Sequence, residues 1–272
     1  MKSRDPFGPE KGYLSVSQLK QYERCPYSYY LSRIKKVWQR PAAWLPQGTA
    51  VHAAIEAWER SGRKMSLEEA QAVFAEEYRK EVNRYAGVTP NFQWWFASGP
   101  YKGMEDLTRR REIGLDQVRK YVEYASRANH EMIWVDADGK PGIELGFDID
   151  LDGVLIRGFI DAVVVSYLED GTRALVVRDH KTGNNPGDDF QLGVYSVALA
   201  EQFGSMATGG DYWMGRSGKP TYPFDLSDWT RETVSAKFKE LEANIRAERF
   251  DPDPDPDKCR FCDVAYTCEY KV

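Results

Sequence analysis

The chain has 272 residues, of which 42% are hydrophobic, 29% charged and 13% aromatic, a composition suited to a globular protein with a well-filled core. Its 37 Lys and Arg against 42 Asp and Glu give a formal charge of −5, which excludes a global basic coat and confines any nucleic-acid contact to a local groove. No apolar run approaches the ~20 residues of a membrane span, and the opening "MKSRDPFGPEKG" lacks the apolar stretch of a secretory signal, so the expected compartment is the cytoplasm, with no membrane partner.

Residues 1–12 read as a loose arm. "SVSQLKQYERCPYSYYLSRIKKV" (15–37) has helical spacing, with Ser15 or Ser17 as cap and Pro26 breaking or kinking it. An Ala-rich helix is expected over 48–62, and a second over 66–87, where Ser66 and Glu69 form a capping box. An aromatic loop follows at 91–103, with Trp94, Trp95 and Phe96 suited either to a core or to base stacking. The helix expected over 104–129 carries Arg109, Arg110, Arg111, Arg119 and Lys120, a basic face that suits phosphate contact or plain solvation.

The pattern then changes period. Alternating, β-branched residues predict three antiparallel strands near 142–151, 154–167 and 172–181, with hairpin signals at Asp152-Gly153 and Asp170-Gly171. Helix returns over 187–204, a short strand over 209–215 and an amphipathic helix over 225–250. "DPDPDPD" (251–257) is expected to lie extended as a stiff spacer before "KCRFCDVAYTCEYKV".

The third strand ends in an unusual way: "VVRDHKTGN" (176–184) runs from buried-strand residues into Asp179, His180 and Lys181. If Glu169, Asp170 and Gly171 form a three-residue loop with Gly171 at positive φ, Leu168 faces Thr172, and counting back along both strands sets Asp161 opposite Asp179. Facing carboxylates ~5 Å apart repel unless a proton or a cation lies between them. Hard oxygen donors suit Mg²⁺ or Mn²⁺. Lys181 shares their face, and Val163, Val165, Leu175 and Val177 would floor it. An acid pair with an ammonium beside a divalent ion is equipment for phosphodiester hydrolysis; a structural Asp–Lys ion pair at a strand end is the plainer reading of the same spacing.

"GFIDAVVV" (158–165) followed by "VVRDHKTG" (176–183) resembles the second and third motifs of the PD-(D/E)XK nuclease superfamily, and more narrowly its RecB-type nuclease domain. "QLGVY" (191–195) resembles that domain's following QxxxY motif, and "GTAVHAAIE" (48–56) its upstream histidine motif, in the family's order. The resemblance implies a single α/β domain over 1–272: a restriction-endonuclease-like mixed sheet flanked by helices, with a helical insertion at 63–135 and a cysteine segment at 251–272. It implies His52, Asp161, Asp179 and the backbone carbonyl of His180 as ligands of Mg²⁺ or Mn²⁺, and Lys181 as the catalytic lysine. Gln191 and Tyr195 would orient Lys181 or touch the DNA backbone. Glu144 and Glu56 are further candidates, whereas His130 reads as surface capping.

Four cysteines in a reducing compartment point to a metal rather than to disulfides. Cys259, Cys262 and Cys268 follow C-x2-C-x5-C, and 233 residues separate Cys25 from the first of them. This arrangement resembles the iron–sulfur RecB-type nucleases, AddB-like and CRISPR-associated, which implies a [4Fe–4S] cluster clasping the two ends of the chain; zinc or free thiols are the alternatives. Tyr22, Tyr27, Tyr29 and Tyr30 suit packing around such a clasp or, less simply, base stacking.

The implied substrate is DNA, as single strands or duplex ends, cut by an exonuclease in recombination, repair, or CRISPR or phage DNA processing. The sequence has no GxxxxGK[ST] loop, so any helicase or recombination motor would be a separate partner. The competing class is a non-catalytic iron–sulfur subunit that binds DNA or serves assembly.

Overall fold

A computed structural model describes residues 12–128, 130–167 and 171–272. In chain order these form α1 (Val16–Arg24), α2 (Pro26–Tyr29) continuing into a π-helical turn (Tyr30–Ile34), α3 (Trp44–Arg60), α4 (Leu67–Val88), a 3₁₀ turn (Phe92–Trp94) and α5 (Gly103–Arg127). Then come β1 (Glu131–Ile133), β2 (Ile143–Leu151), β3 (Val154–Tyr167), β4 (Arg173–Lys181), α6 (Asp189–Phe203), β5 (Gly209–Met214), β6 (Lys219–Pro220), β7 (Phe224–Asp225), α7 (Arg231–Arg246) and α8 (Pro256–Arg260). No described helix is long and apolar enough to cross a membrane.

The caps explain most boundaries. Ser66 and Glu69 make the expected capping box on α4, and Pro26 holds Cys25 extended and so ends α1. The helix expected from 225 begins only at Arg231, capped by Thr230, because Phe224 and Asp225 pair with β5 instead. The acidic spacer is not extended throughout. Pro256 opens α8, where its missing N–H costs nothing, and the Asp255 side chain accepts from the amides of Asp257 and Lys258 at 2.9 and 3.0 Å. Strand β1 was not expected, since three residues show no period.

The chain divides into two compact units, one of residues 1–40, 146–158 and 229–272, the other of 41–145 and 159–228. In the first, Asp152 (φ +56°) and Gly153 (φ +92°) make the expected tight turn between β2 and β3. Leu14 bridges to Ile156, and the buried faces of α1 and α7 supply Leu19, Val234, Phe238 and Ile245. Tyr22, Tyr29 and Tyr30 pack around Phe250.

In the second unit the sheet runs β1-β3-β4-β5-β6, with β7 on β5; β4 and β5 are parallel and the other pairs antiparallel. Strands β3 and β4 pair in the expected register, from Tyr167 opposite Arg173 to Ala162 opposite Arg178. Glu169 and Asp170 of the expected loop lie outside the described residues, while Gly171 has the positive φ expected of it, +81°. Alternate residues of β4 therefore face opposite ways. Val177 faces Leu192 of α6 across Gly210, where a Cβ would come within 2.9 Å of Leu192. On the other face, the His180 ring meets Tyr121 of α5 and Trp213 of β5 edge-on, and Trp213 joins the core built by α3, α4 and α5. Trp95 and Phe96 are buried, while Trp94 is exposed.

Behind β4 lies a buried ionic cluster. Arg178 bonds Asp211 at 2.7 and 2.8 Å and Glu131 at 2.8 and 2.9 Å, and Tyr124 donates to Glu131. Burial opposes the Glu131 charge, but Arg178 outweighs it and holds that carboxyl below its usual range. Removing the guanidinium leaves two buried carboxylates without its counter-charge. Arg178→Met is accordingly expected to lower the unfolding free energy by about 3–5 kcal/mol in urea titrations, and a loss below about 1 kcal/mol would mean that water reaches the acids.

Candidate functional site

The β3–β4 ladder stops at Ala162 and Arg178. One residue further, the amide of His180 donates to the side chain of Asp161 at 2.7 Å. A carboxylate thus takes over the bond that a backbone carbonyl would accept, and the strand ends open around it.

Side chains from α3, β2, β3, β4 and α6 meet there. His52, on α3, sets Nε2 2.9 Å from the His180 carbonyl oxygen, and its Nδ1 lies 3.3 Å from Glu144 Oε1 and 3.5 Å from Asp161 Oδ2. Glu144 is reached by strain: it has φ +42°, a backbone conformation costly for a residue with a Cβ, near the start of β2. Asp179 lies beyond Asp161 on the α6 face. Its Oδ1 accepts from Gln191 Nε2 at 2.5 Å and from the Tyr195 hydroxyl at 3.3 Å. Lys181 Nζ sits 2.7 Å from Asp179 Oδ2 and donates to Gln191 Oε1 at 3.2 Å. The Lys181–Asp179 contact lacks hydrogen-bond geometry, so Asp179 Oδ2 is buried without a donor.

The local sequence explains these placements. Gln191 and Tyr195 are one helical turn apart on α6, and Gln191 Nε2 also donates to the Tyr195 oxygen at 2.8 Å. Lys181 and Asp179 are two apart on a strand and so share a face. Gly48, one turn before His52, brings α3 against Thr182, where a Cβ would lie 3.4 Å from Thr182 Oγ1.

The electrostatics are those of a cation site. Burial opposes the His52 imidazolium, but Asp161, Glu144 and Asp179 outweigh it and carry its pKa up to about 10. Burial raises Asp161 to about 7, with Asp179 and Glu144 adding to the rise and His52 opposing it. Protons thus hold together carboxylates that would otherwise repel. A side-chain nitrogen of His180 also comes within 4.8 Å of ligand atoms of His52 and Asp161. Burial, helped by His52 and Arg178, holds its pKa well below the usual value, so the ring is neutral. The donor set fits a hard divalent ion: carboxylate oxygens, one of them without a donor, beside a carbonyl and an imidazole. Glu56 stands at the edge of this group, ion-paired with Arg60 at 2.8 Å.

Some supporting residues were not legible in the sequence. Buried Gln47 and Gln117 form a relay from Arg110 to the carbonyl of Thr182: Arg110 Nη1 donates to Gln47 at 3.2 Å, Gln47 to Gln117 at 2.8 Å, and Gln117 to Thr182 at 2.9 Å. It holds the residue next to Lys181. Isolated glutamines on helices carry no spacing signal. A signal did exist for Arg178 and Asp211, since each is a charge inside an apolar strand and so needs a partner.

The four cysteines all lie in the first unit, each half-buried with a free thiol. The segment around Cys25 grips the tail on both sides of the C-x2-C-x5-C run: Arg24 donates to the Lys258 carbonyl at 2.5 Å, the amide of Arg40 to Asp263 at 2.8 Å and the Tyr27 hydroxyl to Glu269 at 3.1 Å. Burial raises the Cys262 thiol, with Asp263 and Cys25 adding to the rise.

The chain is 53% identical over 262 residues to the Gene 69 protein of Mycobacterium phage D29, and 51% identical over 280 residues to that of Mycobacterium phage L5, covering 93% of this chain and 95% of the relative in both cases. A solved structure from Eubacterium rectale, named as a candidate exonuclease, matches with a TM-score of 0.50 at 13% identity, over 94% of this chain and 88% of that one, a likeness of fold alone. The profile of the PD-(D/E)XK nuclease superfamily matches residues 13–269, and the chain belongs to that superfamily.

Proposed function

We propose that this chain is a divalent-metal-dependent deoxyribonuclease, acting as an exonuclease on DNA ends or single strands. The observation that carries the reading is the grouping of Asp161, Asp179 and Lys181 at one strand end, with Lys181 Nζ 2.7 Å from Asp179 Oδ2. Asp161, Asp179, the His180 carbonyl and His52 would hold Mg²⁺ or Mn²⁺. Such an ion polarises a phosphate oxygen and lowers the pKa of a bound water.

The remaining steps belong to the chain's own groups. Lys181 is aimed by two partners, Asp179 and Gln191, and its ammonium offers a donor to the attacking water or to a phosphate oxygen that gains charge. Gln191 accepts from Lys181 and donates to Asp179, so one amide sets the spacing of both. The Tyr195 hydroxyl is held neutral by burial, with Asp179 and Asp161 adding to the rise, and so acts as a donor to Asp179 rather than as an acid. Glu144 would set the His52 ring through Nδ1. The relatives are phage proteins, which fits a role in processing phage DNA.

The cysteines support a second part of the proposal. The contacts that bracket Cys259, Cys262 and Cys268 bring the Cys25 segment to them, and a [4Fe–4S] cluster on the four thiolates would close a loop of more than two hundred residues, with Mg²⁺ or Mn²⁺ at the separate strand-end site. Its role here is that of a brace, with no electron transfer required.

Three measurements test the reading. End-labelled single-stranded DNA incubated with Mn²⁺ should be degraded by the wild type, while Asp179→Ala and Lys181→Ala lose at least about a hundredfold in rate; equal cutting by all three would assign the activity to a contaminant. Metal uptake should release protons, because His52 is protonated below about 10 and Asp161 below about 7 in the metal-free chain. Calorimetry in two buffers of different ionisation enthalpy should therefore report proton release, with affinity rising from pH 6 to pH 8; identical heats in both buffers would contradict this. Protein purified without oxygen should be brown, bleach on reduction and lose its iron in Cys25→Ser, whereas stoichiometric zinc would replace the cluster in the proposal.

A further inference from the structure

We propose that an open-sided cleft at the C-terminal end of α5 carries the phosphodiester backbone of the DNA strand flanking the strand-end site, an inference that rests on the nuclease reading above. The cleft measures about 450 Å³ and is lined by Arg119, Lys120, Arg127, His130, Ser217 and Gly218, with Glu123 and Tyr124 beside them. Three fixed cations in one cleft of a chain whose net charge is −5 mark a local reversal of sign.

The cations are not all neutralised internally. Asp116 pairs with Arg119 and Lys120 at 2.6 and 2.8 Å, and Glu123 pairs with Arg119 at 2.7 Å. Arg127 is exposed and has no ion pair among the described residues. Arg216, on the turn that walls the cleft, is also exposed and bonds only the neutral side chain of Asn184 among them. The dipole of α5 ends here on its negative pole, so any anion would be held by these side chains and not by the helix.

The cleft is tied to the strand end through the backbone. The Gly215 amide donates to the carbonyl of Lys181 at 2.8 Å, and Lys120 Nζ donates to the Arg216 carbonyl at 2.7 Å. Lys120 also packs on Gly218, where a Cβ would come within 3.1 Å of it. The turn at residues 215–218 thus joins the strand end bearing Lys181 to the wall of the cleft. The lining favours a sugar-phosphate backbone over a free nucleotide. Of the two rings in its lining, Tyr124 lies beneath Arg178 with its hydroxyl committed to Glu131, and the exposed imidazole of His130 stands beside three cations.

Fluorescence anisotropy with a labelled 30-nucleotide single strand, in EDTA to prevent cleavage, tests this over a range of salt. The double variant Arg127→Ala/Arg216→Ala should reduce the slope of log affinity against log salt by about 1.4 and weaken binding at 0.1 M salt by about tenfold. Glu123→Gln should tighten binding severalfold, a gain that misfolding cannot produce. An unchanged slope in the double variant, no gain in Glu123→Gln, or a mononucleotide competing as well as the oligonucleotide would each overturn the proposal. Hydrolysis of bis(p-nitrophenyl) phosphate by the wild type with Mn²⁺ is read separately. Its absence alongside charge-sensitive DNA binding would defeat the nuclease reading and leave the cleft as a DNA surface.

Discussion

The register between β3 and β4 is the constraint on which the second unit depends. With Ala162 opposite Arg178, β4 sends Val177, Asp179 and Lys181 towards α6 and Arg178 and His180 towards α3 and α5. A slip of one residue would turn Arg178 towards Leu192 of α6, and would strand Asp211 and Glu131 without a counter-charge. The ionic cluster behind the strand therefore specifies the pairing that sets the strand-end carboxylates in front of it. Hydrophobic alternation alone would discriminate less well, because β4 is buried on both faces near its end.

At that end the structure concentrates charge of one sign. Asp161, Asp179 and Glu144 stand around His52, and the protein tolerates them by raising two pKa values so that protons remain bound. A divalent ion meets the same need with more charge and with directional bonds to oxygen. The strained backbone at Glu144, the side chain of Asp161 replacing a ladder carbonyl and the donorless oxygen of Asp179 are costs that packing alone does not require.

The first unit is organised by a different device. Its core is small, and its two ends meet through backbone and tyrosine contacts on either side of the three late cysteines. Tyr29 and Tyr30 stack on Phe250 and leave the thiols half-buried, reachable by a ligand yet shielded from bulk water.

Much was legible along the chain. Period and turn residues determined β2, β3 and β4 almost to the residue, and the positive φ of Gly171 together with the count from the turn determined that Asp161 and Asp179 share a face. These are local or nearest-neighbour properties, fixed by sterics and by a two-residue repeat. Tertiary structure alone decided that Arg178 answers to both Glu131 and Asp211, that Gln47 and Gln117 steady Thr182, and that Glu144 turns towards His52 through a left-handed backbone. The short strands β1, β6 and β7 were likewise decided by the partners they pair with, because two or three residues carry no period. Each of these depends on which distant groups share a desolvated space, and desolvation is a property of the packed volume, which no stretch of sequence contains by itself.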